Sequence, residues 1–171
     1  MGKKQITALV LLDLSKAFDS IDHARLLHNL SIVGASPSTV NWFKSYLSSR
    51  YQYVRIGSTH SNTLPITHGA PQGAILSPLL FCIYLNDLLL APSSCNQKSY
   101  VDDSKLFLSL SLIELDAAIE KLEQDLLSVA QWCCENHLLI NPDKTKLLFL
   151  GSRQTLSKLP QNPSISFSMR D

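Results

Sequence analysis

The chain has 171 residues, 45% of them hydrophobic and only 17% charged. That is enough for one packed core and excludes disorder over most of the length; six Gly, eight Pro and the lack of any sustained repeat exclude collagen-like, coiled-coil and low-complexity classes. Fifteen Lys and Arg against 14 Asp and Glu leave a net charge of +1, so any grip on a phosphate backbone must come from locally gathered positive charge or from metal ions.

Ile6 to Leu12 is a continuous apolar run that predicts a buried strand ending at Asp13. Lys3-Lys4 ahead of that run looks briefly like a signal peptide, but Asp13 cuts it short. The expected location is intracellular, nuclear or cytoplasmic, and not secreted. Asp22 is a good N-cap for a helix to about Val33, with Gly34 as its stop. Ser36-Pro37 opens a second helix carrying Val40, Trp42, Phe43 and Leu47. Tyr51, Tyr53, Val54 and Ile56, then Gly57-Ser58, then Leu64 and Ile66 predict a hairpin. After the loop His68 to Gly73, a helix is expected from Ser77 to Leu90, apolar nearly all round and therefore central. Pro78, Asn86 and Asp87 interrupt this stretch, which is too short to span a bilayer, and no membrane partner is expected.

Two short strands follow, Lys98–Val101 and Lys105–Leu110, pivoting on Asp102-Asp103. Leu115, Ile119, Leu122, Leu126, Val129 and Cys133 form one stripe of a long amphipathic helix. Asn141 to Lys144 is a turn, and Leu147–Leu150 closes a last hairpin. The organisation read from this order is one folded region over 1–151 and a poorly ordered tail over 152–171. The fold class is α+β, an antiparallel sheet with helices packed on one face. Cys82, Cys95, Cys133 and Cys134 contain no CxxC pair, so neither a zinc site nor a disulfide framework is expected. The five histidines show no ligand spacing.

Three acids sit where a core sheet belongs: Asp13 ends a greasy strand, and Asp102 and Asp103 lie between two others. A buried lone carboxylate is costly, and three at strand ends would repel each other unless a cation neutralised them. Carboxylate oxygens suit Mg²⁺, which takes few protein ligands and keeps water or substrate phosphates in its shell. Asp is also a common turn residue. The residues alone leave both readings open.

Four segments carry a resemblance. Leu12 to Asp19 (LDLSKAFD), Ala70 to Phe81 (APQGAILSPLLF), Tyr100-Val101-Asp102-Asp103 and Asn141 to Lys146 (NPDKTK) resemble, in order, the catalytic motifs of reverse transcriptases. The similarity is closest to the polymerases of non-LTR (LINE-type) retrotransposons and covers roughly residues 6 to 151. It implies a polymerase palm, without fingers or thumb, that adds deoxynucleotides to a primer 3′-hydroxyl on an RNA template. Implied partners are the RNA template, the DNA primer and deoxynucleoside triphosphates; the implied cofactor is Mg²⁺, two ions, with Mn²⁺ able to substitute. Asp13 and Asp102 match the metal-holding acids, Asp103 the third carboxylate, and the Leu14 carbonyl would complete one metal shell. Phe18 matches a steric gate beneath the sugar. Gln72 and Gly73 match the loop touching the incoming nucleotide and template. Lys144 is similar to the lysine that neutralises or protonates departing pyrophosphate.

Each of these has a plainer reading: Phe18 as a core aromatic, Gln72-Gly73 as a turn, Lys144 as a solvated lysine. Lys16, Lys44, Arg50 and Arg55 read as solvated surface, and Trp42, Tyr51 and Tyr53 as packing aromatics. With fingers and thumb missing, polymerisation by this chain alone is expected to be feeble or nil, because such catalysis is mostly positioning. The alternative is a non-catalytic retroelement remnant that binds nucleic acid or a partner weakly. An aspartate-dependent phosphatase would want a second Asp two residues after Asp13, where Ser15 stands.

Overall fold

The computed structural model describes residues 5–160. Its elements in chain order are β1 (Gln5–Leu12), β2 (Leu14–Ser15), α1 (His23–Ile32), α2 (Pro37–Leu47), β3 (Tyr51–Gln52), β4 (Arg55–Ile56), β5 (Thr59–His60), β6 (Leu64–Pro65), α3 (Ser77–Tyr84), β7 (Asn96–Tyr100), β8 (Asp103–Ser111), α4 (Leu115–Glu135), β9 (Leu139–Ile140), β10 (Lys146–Leu150) and α5 (Arg153–Leu156). They form two compact units, Met1–Ser15 with Asp87–Asp171, and Lys16–Asn86.

The first unit is built on a four-stranded sheet in the order β10-β1-β8-β7, antiparallel throughout. Strand residues alternate between faces, and on β1 and β8 the even-numbered residues face the core. Ile6, Val10, Leu12, Leu106 and Leu110 are buried on it, with Ile6 opposite Leu110 and Val10 opposite Leu106. The long helix α4 packs against β8, and α5 against β1. Most of the stripe predicted on α4 faces inward: Leu115, Leu122, Leu126, Val129 and Cys133 are buried, joined by Ala118 and Ala130, while Ile119 is half-buried. Burial pushes the Cys133 thiol up to about 12, with the neighbouring Cys134 adding to the shift, so it stays protonated at neutral pH. The opposite face, odd-numbered on β1 and β8 and even-numbered on β7 and β10, is half-buried or exposed along its length.

The second unit is mostly helical. Asp22 caps α1 by accepting from the Arg25 N–H at 2.7 Å, and Ser36 caps α2 by accepting from Thr39, both as the sequence predicts. α1 packs against α2 and α3. Tyr84 is fully buried, and its hydroxyl accepts from the Asp22 N–H at 3.3 Å, tying the end of α3 to the start of α1.

Several expectations change. The helix expected over Ser77–Leu90 stops at Tyr84, and Leu88–Leu90 is a separate 3-10 turn. It is not buried all round: Leu80, Phe81 and Tyr84 are fully buried, while Leu79 is 55% exposed. Apolarity on every face therefore did not report burial on every face. The hairpin over 51–66 is two short ladders, β3 with β6 and β4 with β5. The closing hairpin does not form, because β9 pairs with β2 while β10 crosses to β1. The described residues from 152 include a short helix, α5. Ser152 caps α5 and Thr155 is buried; residues 161–171 of the expected tail lie outside the described residues.

Candidate active site

The acids belong to the first unit, and strand register decides how they stand. Leu12 pairs with Ser104 and Leu11 with Lys105, so one more step sets Asp13 opposite Asp103. On the other side the ladder with β10 ends at Leu11 and Lys146, and Lys144 lies in the turn that leads into β10. The Lys144 ammonium is 3.8 Å from an Asp13 carboxylate oxygen. Tyr100 pairs with Asp103, so Tyr100, Asp103 and the adjoining Asp13 form an acid-bearing row at this end of the open face, which Lys144 reaches from its turn. The polypeptide pivots on Val101-Asp102 rather than on Asp102-Asp103, because Asp103 is already the first residue of β8. Asp102 thus stands at the tip of the turn and is exposed.

That turn is strained. Val101 has φ +55°, a conformation that glycine adopts freely and a β-branched residue resists. Its approach is braced by a residue that no motif flagged. Asp125, on α4 and 1% exposed, accepts from the Ser93 N–H (2.9 Å) and hydroxyl (3.1 Å), and from the N–H groups of Ser94 (2.8 Å) and Cys95 (2.6 Å). Burial pushes its carboxyl upward, but the backbone donors of Ser93, Cys95 and Ser94 outweigh it and hold the group below the usual carboxylate range. The clamped loop runs straight into β7. In turn, burial and the Asp125 carboxylate push the Cys95 thiol up to about 12.

Leu14 contributes through its backbone. The Asn141 N–H donates to the Asp13 carbonyl at 2.8 Å, which makes Leu14 and Ile140 the next, non-hydrogen-bonded pair of the β2–β9 ladder. The Leu14 carbonyl therefore points off the ladder. Carboxylates plus a released carbonyl are hard oxygen donors of the kind Mg²⁺ takes, and it needs only one or two carboxylates from a protein. Among the described residues, however, no three His, Cys, Asp or Glu side chains gather into one metal-holding group. The donor chemistry fits the ion; a closed three-carboxylate cage is not present.

The remaining candidates belong to the second unit. Phe18 stacks on the buried Phe81, ring centroids 4.8 Å apart, and is itself half-buried. Gln72 donates its amide to the Asp19 carboxylate at 2.7 Å, and Gly73 has φ +77° with open space where a side chain would point. The loop bearing them is stitched to the turn bearing Phe18: Ala70 N–H to Phe18 O (2.9 Å) and Gly69 N–H to Ile21 O (2.8 Å). Gly69 has φ +88°, and a Cβ there would lie 3.1 Å from backbone atoms of Phe18 and Asp19. Sequence reasoning assigned nothing to Gly69, although a glycine before Ala-Pro in a loop is a signal for close approach. A cavity of about 600 Å³ adjoins the loop, lined among others by Lys16, Asp19, Arg50 and Gln72.

The family described as reverse transcriptase (RNA-dependent DNA polymerase) matches residues 2–167. The chain is 30% identical over 149 residues to a probable RNA-directed DNA polymerase from transposon BS of Drosophila melanogaster, covering 83% of this chain and 16% of that protein. It is 26% identical over 160 residues to the RNA-directed DNA polymerase from mobile element jockey of the same species, covering 90% and 17%. Over 81 residues it is 32% identical to a Pol polyprotein from the type-1 retrotransposable element R2 of Popillia japonica, covering 47% and 13%. The chain thus spans about a sixth of the length of the curated relatives it matches most fully. Among solved structures, apo telomerase from Candida tropicalis truncated from its C-terminal domain superposes with a TM-score of 0.60 at 13% identity, over 86% of this chain and 31% of that one. Telomerase from Candida albicans, with a fragment of telomeric RNA, gives 0.58 at 13%, over 94% and 28%. At such identity the structural likeness speaks for the fold, a polymerase palm-like α+β arrangement, and the sequence match speaks for descent: the chain belongs to the reverse transcriptase (RNA-dependent DNA polymerase) family, in the company of the non-LTR retrotransposon polymerases.

Proposed function

We propose that this chain carries the nucleotidyl-transfer centre of an RNA-directed DNA polymerase, adding deoxynucleotides to a primer 3′-hydroxyl along an RNA template. The observation that carries the reading is the gathering of charged groups at one end of the sheet: Asp103 opens β8 next to the end of β1, Asp13 follows β1 and pairs with the Lys144 ammonium at 3.8 Å, and Asp102 stands in the adjoining turn. Reverse transcriptases in general use divalent metal ions, and Asp13, Asp102, Asp103 and the Leu14 carbonyl are the groups that would hold Mg²⁺ here. When bound, such ions supply a primer hydroxyl of lowered pKa and charge compensation for the leaving pyrophosphate. Lys144 offers an ammonium beside the same acids, placed to neutralise or protonate the departing phosphate. Phe18, held by its stack on Phe81, serves as the sugar-side gate. Gln72, oriented by Asp19, and Gly73, open to close approach, contact the nucleotide and template. The working compartment on this reading is intracellular, nuclear or cytoplasmic, where RNA and triphosphates occur; among the described residues no helix is long and apolar enough to cross a membrane.

One observation favours a second reading, a non-catalytic remnant that binds nucleic acid without turnover: no three potential metal ligands gather into one group among the described residues. Primer extension on a homopolymer RNA template separates the two. Mg²⁺-dependent extension by the native chain, abolished in Asp102→Asn, supports the polymerase. Equal silence of both proteins, with no Mg²⁺ binding heat in either, supports the remnant.

A further inference from the structure

The register that lines up the acids also lines up three lysines. Lys98 on β7 pairs with Lys105 on β8, Lys105 pairs with Leu11 on β1, and Leu11 pairs with Lys146 on β10. One row therefore crosses all four strands as Lys98, Lys105, Leu11, Lys146. It lies two residues from Tyr100, Asp103 and Asp13, the acid row, which is about 7 Å along the strands at their usual rise. The lysines are cross-strand partners of one another and of Leu11, so they lie on the face that carries the odd-numbered residues of β1 and β8, the open face, and all three are exposed. From Lys98 to Lys146 the row spans three strand spacings, about 14 Å.

This arrangement is unfavourable on its own terms. Directly opposite residues of an antiparallel pair have Cβ atoms about 4.5–5.5 Å apart, and like charges there destabilise the sheet. Lys98 and Lys105 are such a pair, and none of the three lysines makes an ion pair among the described residues. A protein with a net charge of +1 has nonetheless gathered three unpaired cations in a line beside its acids. A line of flexible ammonium groups with no internal counter-ion is complementary to a line of phosphates.

We propose that Lys98, Lys105 and Lys146 form a phosphate-binding row that holds the sugar–phosphate backbone of the primer strand, with its 3′ end directed at the neighbouring acid row. This rests on the reading of the acid row as the transfer centre and adds residues to it: long, mobile lysine stems track a backbone without reading its bases. The same phosphoryl chemistry could come from the tail of a nucleoside triphosphate, and the experiment distinguishes the two sources.

The test is fluorescence anisotropy of the full chain with a DNA primer annealed to RNA, in EDTA so that metal plays no part, over a salt series starting near 50 mM (roughly the low-salt end at which phosphate contacts dominate). Each of Lys98→Gln, Lys105→Gln and Lys146→Gln should flatten the slope of log affinity against log salt by about 0.9, and the triple variant by about 2–3, with affinity down at least about tenfold at low salt. Lys105→Arg should retain native binding. Thermal unfolding is the control: because Lys98 and Lys105 repel, Lys105→Gln should melt at or above the native temperature, whereas a structural lysine would lower it. Native slope and affinity in the triple variant overturn the proposal and leave the polymerase reading standing. Loss of dATP binding with primer–template binding intact also overturns it, assigning the row to the triphosphate. No primer–template binding by the native chain at low salt overturns it as well. A chain whose Mg²⁺ heat is unchanged by Asp13→Asn and Asp102→Asn instead fails the transfer-centre reading, whatever the lysines do.

Discussion

Replacing Asp125 tests how the fold supports the turn that bears the acids. Its carboxylate accepts four hydrogen bonds from Ser93, Ser94 and Cys95 at 2.6–3.1 Å, while the residue is 1% exposed. Hydrogen bonds to a charged group are each worth about 1.5–3 kcal/mol, and stranded buried donors cost about 1–3 kcal/mol apiece. Against that, removing the carboxylate returns its own burial cost, several kcal/mol. The balance for Asp125→Ala is a loss of about 3–5 kcal/mol, a large share of the roughly 5–15 kcal/mol that a domain commands. Asp125→Asn should fare little better. Both carboxylate oxygens face donors, so in either orientation the amide nitrogen meets N–H groups. Urea unfolding followed by circular dichroism measures this, with the expected drop in midpoint at unchanged slope. If Asp125→Ala lies within about 1 kcal/mol of the native protein, or if Asn substitutes fully, the clamp is not what holds the loop entering β7.

The same carboxyl predicts an acid limit. Its folded pKa is depressed, so its contribution is fully present above the unfolded value near 3.9 and is lost as pH falls through the folded one; a pH series of melting temperatures should steepen below about pH 4 in the native chain and less so in Asp125→Ala. Gly69→Ala should cost about 1–3 kcal/mol, since the new Cβ would press on fixed backbone at a positive φ; native-like stability would contradict the close approach. Val101→Gly should stabilise by up to about 1 kcal/mol by releasing the strained turn, read as a higher midpoint in urea. Lys144→Met should change stability by less than about 1 kcal/mol, because its ion pair with Asp13 is largely solvated; a larger loss by thermal unfolding would show that the pair is structural.

Much of this protein was legible from local sequence, because local chemistry decides it. Asp22 and Ser36 announce helix starts through side chains that satisfy free N–H groups, and the steps of four and three on α4 fix its buried face whatever it packs against. The motifs around Asp13, Asp102 and Lys144 each resemble those of one family in short local stretches of sequence. What sequence did not decide are the relations between distant strands. The β2–β9 pairing that turns the Leu14 carbonyl outward and the turn between β9 and β10 that brings Lys144 beside Asp13 depend on how distant strands meet. So does the row of Lys98, Lys105 and Lys146. Asp125 reads as an ordinary polar residue on a helix until a loop 30 residues earlier folds onto it. Hydrogen bonding and charge pairing act over a few ångströms in space, and separation along a chain carries no record of which groups folding brings within that range.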